Sequence, residues 1–295
     1  MNPRLVLSAI LLLAAVPLAR AQPAAAGAAA SAPAPAASAA HTQSAHVETM
    51  RRTSLVRLQE RLEQPEEQLH RACRFESDIA TPPPAGVVAL TFDDGPEPGR
   101  TEAILAVLAR HKVPATFFLI AEKAKAHPEL VEQARALPGA VIGNHSWSHP
   151  NFHDIPAAEQ AREVESADAQ IHADLGATAL FRYPYGNSSC ETNERVHAMG
   201  YHIVGWHVDS CDWAFDGPKG LTPGEALSCG VLPEYRHDFL GHVLASVRAH
   251  RGGVVLMHET HDISVDNLDA LVTKLEAAGY RFSTPAAPEF QDSLR

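Results

Sequence analysis

The sequence predicts an α/β protein in which a parallel sheet of about seven strands closes toward a barrel. From residue 85 onward, short apolar runs alternate with amphipathic stretches of ten or more residues, which is the pattern of repeated βαβ units. About seven such units follow one another, and this number favours a barrel over a small open sheet. Polar, titratable residues end nearly every strand, and parallel α/β folds carry their chemistry at that edge.

The predicted strands and helices alternate along the chain. The strands lie at 87–92, 115–120, 140–145, 179–186 (continuing into a loop), 201–208, 254–258 and 281–284. The helices lie at 101–112, 128–137, 156–176, 191–200, 237–253 and 265–280. The strands are short apolar runs, whereas the helices carry apolar residues at the spacing of one buried face.

The start of the chain is predicted to be a secretory signal peptide. Residues 1–21 combine a basic head, an apolar run from Leu5 to Leu18 and a small-x-small sequence that ends at Ala21. The apolar run is too short to span a bilayer, and no later stretch is long and apolar enough to do so. We therefore expect an exported protein, periplasmic or secreted, that is cleaved near Ala21.

Two further segments precede the α/β domain. Residues 22–46 are rich in Ala, Pro, Ser and Gly, which predicts an extended linker. A helical lead-in over 47–84 is predicted from the spacing of three leucines, at 55, 58 and 62, with a break at Pro65. Its polar faces favour a solvated stalk without chemistry over a helix that docks on the domain.

Charge and cysteine content limit the partners and sites. The formal net charge is −11, which argues against nucleic acid because such partners require a basic surface. The four cysteines form no Cys-x-x-Cys pair, so a zinc ribbon is disfavoured. Export makes disulfides chemically accessible. We favour Cys211–Cys229, which would pin a loop rich in Gly and Pro, together with Cys73–Cys190. Other pairings and free thiols remain alternatives.

The sequence LTFDDGP places Asp93 and Asp94 side by side at the end of an apolar strand. Asp and Gly suit a plain turn, which is the simpler interpretation of this segment alone. Two like charges at the end of a buried strand are otherwise costly unless a cation compensates them. One carboxylate can then bind a metal ion while its neighbour acts as general base toward a water molecule.

The sequence NHSWSHP holds His145 and His149 four residues apart at a later strand end. Two surface histidines in a loop could produce this spacing by chance, since the chain has 17 histidines. On a helical turn, the spacing puts both rings on one face, as in zinc-binding pairs. Two histidines and one aspartate would supply three ligands and leave open positions, which is typical of a catalytic metal site.

Three more strand ends carry candidate catalytic groups. In FRYPYG, Arg182 can pair with the base carboxylate, and the backbone N–H of Tyr185 can face an oxyanion. An ordinary salt bridge and a packed aromatic ring are the simpler alternatives. In VDSCDW, either Asp209 or Asp212 can raise the pKa of His258 in VLMH, which suits His258 to general acid catalysis. A structural histidine is the alternative.

Together, TFDDGP, HSWSH, RYPY, DSCDW and LMH resemble the five motifs of the polysaccharide deacetylase family, carbohydrate esterase family 4, with its nodulation-protein-B homology domain. The resemblance covers about residues 85–285 and leaves 286–295 as a tail. It implies a distorted (β/α) barrel with about seven parallel strands. It also implies a divalent metal, usually zinc, with Co²⁺, Ni²⁺ or Mn²⁺ as alternatives.

The resemblance implies a role for each candidate residue. Asp93 would be the base, oriented by Arg182, and His258 would be the acid, tuned by Asp212. Tyr185 would supply the oxyanion-hole N–H. The implied metal ligands are Asp94, His145 and His149. The implied substrate-binding residues are Trp213, whose ring offers an apolar wall, Pro184 and Tyr185.

The resemblance implies an exported, metal-dependent enzyme that removes N-acetyl groups from amino sugars in a polysaccharide such as peptidoglycan or chitin. An O-acetyl esterase acting on xylan and a sugar-binding module without catalysis are the alternatives. The stretch between Trp213 and the strand of His258 carries extra Gly, Pro and Cys residues, so the shape of the cleft is open. The partner is expected to be the acetylated polysaccharide, and the chain is expected to be a monomer.

Overall fold

The computed structural model describes residues 36–75, 77, 79–215 and 220–295, with side chains described from residue 45. The predicted signal peptide and the first part of the predicted linker lie outside these residues. Within the described part of the chain, no helix combines the length and the apolar character needed to cross a membrane.

The strands form one parallel sheet, and the predicted fold class, a distorted barrel of about seven parallel strands, is confirmed. The strands are β1 Val87–Gly95, β2 Ala115–Leu119, β3 Val141–Asn144, β4 Leu180–Phe181, β5 His202–Ile203, β6 Val208–Asp209, β7 Gly253–His258 and β8 Arg281–Phe282. Their spatial order is β5-β4-β3-β2-β1-β7-β6, and the short β8 pairs with the start of β1. All nine residues of the central strand β1 are buried, as expected for a strand covered on both faces.

Helices cover the sheet and supply the rest of the core. They are α1 Ala36–Glu63, α2 Glu66–Arg71, α3 Arg100–His111, α4 Ala121–Ala126, α5 Pro128–Ala136, α6 Ala157–Ile171, α7 Cys190–Ala198, α8 Asp212–Phe215, α9 Pro223–Ser228, α10 Phe239–His250 and α11 Asp262–Ala277. Helices α3, α5, α10 and α11 each bury one largely apolar face. On α3, for example, this face consists of Ile104, Leu105 and Leu108, which follow the helical period.

The strand predicted over 201–208 is instead two short strands, β5 and β6. Gly205 lies between them, and a Cβ atom there would be 1.9 Å from the Ser77 carbonyl oxygen. The same carbonyl accepts a hydrogen bond from the Trp206 N–H at 3.2 Å. The segment before the domain therefore packs directly against the backbone between β5 and β6. Glycine is required for this close approach.

The segments at both ends of the described residues differ from the sequence-based expectations. Ile203 and Arg295 exchange two backbone hydrogen bonds, and Phe290 is buried. Residues 286–295, which were predicted to be a tail, therefore pack beside β5. At the other end, α1 begins at Ala36, inside the predicted linker, because its alanines favour helix. The predicted break at Pro65 is present, since α1 ends at Glu63 and α2 follows it.

The prediction of a solvated stalk is wrong, because α1 packs on the domain against α8 and α9. Met50 and Thr53 of α1 are buried. The docking face is largely polar, and a search for an apolar stripe therefore does not detect it.

The favoured cysteine pairing is present. Cys73–Cys190 joins the turn after α2 to the first residue of α7, and Cys211–Cys229 joins the start of α8 to the end of α9. The first bridge tethers the lead-in segment to the domain, and the second closes the longer stretch that follows Trp213.

Candidate active site

The adjacent aspartates reach the same site because the end of β1 departs from regular strand geometry. Asp94 has a positive φ of 70°, and the register between β1 and β2 shifts between Asp93 and Gly95. In a regular strand, neighbouring side chains point to opposite faces. Here, His145 Nε2 lies 3.6 Å from Asp93 Oδ2 and 3.5 Å from Asp94 Oδ1.

The two predicted histidine ligands meet at Asp94, although not through a helical turn. His149 Nε2 lies 3.1 Å from Asp94 Oδ1, and the two rings are 4.9 Å apart. Residues 145–149 form a loop after β3 in which Ser146 and His149 have φ values of 69° and 62°. The Ser146 hydroxyl accepts the His149 N–H at 3.0 Å, which holds this loop in place. The rings of His145 and His149 therefore come together through a loop and not through the helical turn that the spacing predicted.

These three residues fit a divalent metal. Asp94 Oδ1 is buried without a hydrogen-bond donor among the described residues, and it faces the Nε2 atoms of both histidines. The Nδ1 atom of His145 lies 2.8 Å from the Arg182 carbonyl oxygen, which directs its Nε2 toward the aspartates. Imidazole and carboxylate donors, with a histidine ring oriented by a backbone carbonyl as His145 is, are typical of zinc-type sites.

The electrostatics of the site also suit a cation. Burial opposes the charge on Asp94, but the charges of His149 and His46 and hydrogen bonds from histidines outweigh it, so the pKa of Asp94 is well below its ordinary value. Burial lowers the pKa of His149 well below its ordinary value, although Asp94 opposes this shift. An ionised carboxylate and a neutral imidazole are the forms that bind metals.

Arg182 holds Asp93 within the interior. Its guanidinium donates to Asp93 Oδ1 at 2.8 Å and to the Thr91 hydroxyl at 2.7 Å. The carbonyls of Val204 and Gly205 accept two more of its N–H groups at 3.2 and 2.9 Å. The side chain is fully buried, and these four hydrogen bonds leave it little freedom to rotate. Asp93 therefore has one oxygen on the arginine and the other facing His145.

His258 and Asp212 form a second buried pair. The Nδ1 atom of His258 lies 2.7 Å from Asp212 Oδ1, and its backbone N–H donates to Oδ2 at 2.7 Å. The Ser264 hydroxyl also donates to Oδ2. Burial opposes the charge on His258, but the charge of Asp212 and its hydrogen bond raise the pKa of His258 to about 10. Nε2 of His258 can therefore carry a proton toward the cavity.

The two aspartates considered as partners of His258 have separate positions. Asp212 contacts the ring directly, whereas the Asp209 carboxylate accepts the Cys211 N–H at 2.8 Å. Burial raises the pKa of Asp209. The structure therefore favours Asp212 as the group paired with His258.

The three predicted substrate-binding residues differ in whether they line the cavity. Tyr185 has a φ of 57°, and its ring packs edge-on against His149 with the centroids 4.6 Å apart. Tyr185 and Trp213 both line the cavity between the metal donors and His258. Pro184 is buried at the start of the short turn that carries Tyr185, so it contributes to the position of this turn and not to the cavity lining.

Most of the predicted site residues line one cavity. Its volume is about 50 Å³. Seven candidate residues line it: Asp93, His145, His149, Tyr185, Asp209, Trp213 and His258. Helix α1 forms the opposite wall through Met50, Thr53, Ser54 and Arg57.

The sequence did not indicate the contribution of α1 to this site. His46 Nε2 lies 3.0 Å from Asp94 Oδ2, although the two residues are 48 positions apart. His46 stands at the end of a stretch rich in Ala and Ser, with no second candidate ligand at a recognisable spacing. The roles of Thr91 and Ser264, which bond Arg182 and Asp212, were also missed. Thr91 opens the TFDDGP motif but occupies a strand position where threonine is common, and Ser264 lies outside the motifs.

Comparison with known proteins identifies the family. The family model for polysaccharide deacetylase matches residues 80–204. The peptidoglycan-N-acetylglucosamine deacetylase of Bacillus cereus is 34% identical over 202 residues, which are 67% of this chain and 66% of that protein. The chain thus spans just under two thirds of this relative's length. This protein belongs to the polysaccharide deacetylase family, carbohydrate esterase family 4.

Solved structures show the same architecture. A peptidoglycan N-acetylglucosamine deacetylase crystallised with 4-naphthalen-1-yl-N-oxidanyl-benzamide has a TM-score of 0.58 and 29% identity, over 76% of this chain and 96% of that one. A family 4 pseudoenzyme from Bacillus anthracis has a TM-score of 0.56 and 25% identity, over 68% of this chain and 64% of that one. The family fold therefore occurs both in deacetylases and in a protein described as a pseudoenzyme.

Proposed function

We propose that this protein is an exported, metal-dependent deacetylase that hydrolyses the acetamide of N-acetylated amino sugars in a polysaccharide such as peptidoglycan. The observation that carries this proposal is the meeting of three metal donors and two buried ion pairs at one cavity. Each ion pair presents one proton-transfer group to that cavity, Asp93 in one and His258 in the other.

A divalent metal held by Asp94, His145 and His149 would polarise the amide carbonyl and lower the pKa of a water molecule. Asp93 accepts the proton of the attacking water, since its free oxygen faces the donors while Arg182 holds the other. The Tyr185 N–H donates to the developing oxyanion. His258 then protonates the leaving amine, with Asp212 keeping its Nδ1 proton in place. Zinc is the metal that this donor set suits best.

The presence of a general acid, His258, supports amide hydrolysis, because an amine is a poor leaving group unless it receives a proton. The pKa of His258, raised to about 10, keeps that proton available at neutral pH. The complete donor set and both ion pairs argue against a non-catalytic sugar-binding role. The relative's name supports a peptidoglycan substrate.

Export is supported by two features of different origin. The first 21 residues have the composition of a signal peptide, and all four cysteines form disulfides, which persist in oxidising compartments. A fusion of residues 1–46 to a reporter that is active only outside the cytoplasm tests this part. An inactive reporter, with the fusion protein present in the cell, would contradict export.

Acetate release from three substrates tests the activity. The zinc-loaded full chain is incubated with N-acetylated peptidoglycan, chitin oligomers and acetylxylan. Release from the first or second, abolished by chelation and restored by Zn²⁺, supports the proposal. Release from acetylxylan alone would assign the O-acetyl esterase activity. No release from any of the three, either by the full chain or by a folded variant in which α1 is detached from the cavity, would favour a binding protein.

A further inference from the structure

Helix α1 covers the proposed catalytic cavity and places a histidine on its metal donors. Four α1 residues, Met50, Thr53, Ser54 and Arg57, line the cavity together with Asp93 and His258. The space left has a volume of about 50 Å³. Sites for small molecules typically measure about 300–1,000 Å³, so a sugar residue of a polymer has no room while α1 is in this position.

Polar contacts along α1 fix this position on α9. The Arg51 Nε atom lies 2.8 Å from Glu225 Oε1, and Glu225 is buried. One turn further along, Ser54 Oγ donates to Ser228 Oγ at 2.7 Å. Both partners belong to α9, which the Cys211–Cys229 disulfide ties to the start of α8 beside Asp212.

Arg57 holds α1 against the other side of the cavity. Its guanidinium donates to the Tyr185 carbonyl at 2.6 Å and to the Ser77 hydroxyl at 3.2 Å. It also stacks between two aromatic rings, with its Cζ atom 5.0 Å from the centre of Phe75 and 5.6 Å from that of Trp206. The helix is therefore bonded on both sides of the opening that a polysaccharide would use.

His46 lies at the metal donors. Its Nε2 atom is 3.0 Å from Asp94 Oδ2, on the carboxylate oxygen that does not face His145 and His149. Its ring is 5.2 Å from that of His149. The donor atoms of His46, Asp94 and His149 all lie within 4.8 Å of one another, which is the spacing of ligands that share one ion.

We propose that His46 is a fourth protein ligand of the metal site and that α1 is an intramolecular lid holding the enzyme in a closed, inactive state. The regulatory role of the lid rests on the proposed deacetylase function, whereas the assignment of His46 as a metal ligand does not. A catalytic zinc site keeps a position for water or substrate, whereas a site with four protein ligands is closed. His46 therefore occupies the position that the reaction needs.

The lid opens by breaking polar contacts that water can replace. They include the ion pairs of Arg51 with Glu225 and of Glu60 with Arg74, the stacking of Arg57 and several hydrogen bonds. A hydrogen bond contributes only modest net stability, since both partners bond to water once they separate. When α1 leaves, the Cys73–Cys190 bridge keeps the segment after α2 attached to the domain. A polysaccharide chain entering the cleft competes with α1 for the same cavity walls, so the substrate itself favours the open state.

Cobalt absorption tests the ligand without measuring activity. The full chain is loaded with one equivalent of Co²⁺, and His46→Ala is compared with the wild type. Loss of an imidazole and entry of water should weaken and shift the visible absorption bands, and Co²⁺ affinity should fall by about 10-fold or more. His172→Ala is the matched control, since His172 is exposed and remote, and it should match the wild type. Asp94→Ala, which removes the central ligand, gives the spectrum without the site.

A second variant separates the lid from its histidine. Arg51→Glu places a like charge opposite Glu225 and should release α1 while leaving His46 in the chain. We expect its cobalt spectrum to move toward that of His46→Ala, and acetate release from chitin oligomers to rise above the wild type in both. Thermal unfolding confirms that each variant is folded.

The outcomes are distinguishable. Unchanged spectrum and affinity in folded His46→Ala overturn the ligand assignment. A changed spectrum without increased activity overturns the lid when the wild type is active. If no variant releases acetate from either N-acetylated peptidoglycan or chitin oligomers, the proposed deacetylase function fails, while the spectra still decide whether His46 is a ligand.

Discussion

Two buried ion pairs flank the cavity, and they present opposite partners to it. On the β1 side, Asp93 lines the cavity and Arg182 lies fully buried behind it. On the β7 side, His258 lines the cavity and Asp212 lies fully buried behind it. Asp93 and His258 are paired residues of the neighbouring strands β1 and β7. The same kind of interaction thus presents an anion on one side and a cation on the other.

The difference shows that the partner facing the cavity decides the proton chemistry of an ion pair. The buried arginine donates to Asp93 Oδ1 and leaves Oδ2 facing His145 as a hydrogen-bond acceptor, which suits a base. A buried aspartate favours the protonated imidazole in front of it, which suits an acid, and the pKa of His258 is accordingly raised to about 10. Two groups one strand apart are thereby prepared for opposite proton transfers.

The first prediction separates Asp93 from its neighbour and has the largest expected effect. Asp93→Asn keeps the size of the side chain but removes the proton acceptor, so kcat should fall by about 10²–10⁴, the usual contribution of a general base. Bound metal should remain. Asp94→Ala should lose the metal itself. Metal content by atomic spectroscopy, measured beside acetate release, distinguishes the two, and the reverse pattern would exchange their roles.

Breaking the β1 pair should also cost stability. Arg182→Met removes the guanidinium and leaves Asp93 as a buried charge without its partner, which typically lowers the free energy of unfolding by about 3–5 kcal/mol. Thermal or urea unfolding measures this loss. Thr91→Val is the comparison variant, since it removes the hydroxyl's hydrogen bonds to Arg182 and to the Val255 carbonyl but leaves the Asp93–Arg182 ion pair in place. A loss for Arg182→Met no greater than for Thr91→Val would show that Asp93 does not need the arginine.

The sequence predicts the sheet and the main site residues because both depend on local patterns. Apolar runs and turn residues define β1 to β4 within a few positions, and the strand ends carry the motifs. The split of 201–208 into β5 and β6 could not be predicted, since it depends on the approach of Ser77 to Gly205. Gly205 is consistent with a close backbone approach within this stretch, but the sequence of 201–208 does not say which segment approaches.

The role of α1 was missed for a related reason. Prediction of a docked helix relies on an apolar stripe, whereas α1 docks through Arg51, Ser54 and Arg57. Their partners are distant in sequence, and polar residues on a helix ordinarily indicate a solvated face. His46 reaches Asp94 only because those contacts fix the helix, so its position follows from tertiary packing alone.

A third prediction concerns the β7 pair. Asp212→Asn removes the charge that stabilises protonated His258, so the pKa of His258 should fall by roughly 1–3 units. His258 then loses its proton at lower pH, and the basic limb of the pH–rate profile should move to lower pH. The profile of acetate release against pH measures this shift. A basic limb that stays in place would mean that His258 is not the titrating acid.

His258→Ala tests the same acid through the substrate. A p-nitrophenyl ester has a leaving group that departs without a proton, whereas an amide does not. The variant should therefore lose far more activity on N-acetylated oligomers than on p-nitrophenyl acetate. Equal losses on both would count against the acid role.

The last prediction asks whether the two pairs are equally rigid, and its effect on activity is the smallest. Arg182 is bonded inside the sheet, whereas Asp212 follows Cys211, whose disulfide to Cys229 spans 18 residues. Replacing both cysteines by serine should lower the free energy of unfolding by about 3 kcal/mol in the loop-entropy model. The freed α8 should also weaken the hydrogen bond between Asp212 and His258, giving a modest loss of activity.

The comparison variant is Cys73→Ser/Cys190→Ser. It opens a longer loop of 117 residues and should cost more stability, about 4–5 kcal/mol, but it lies away from Asp212. Proton NMR of the His258 Nδ1–H reports the bond directly. A signal equally changed in both variants would mean that α8 does not depend on its own disulfide.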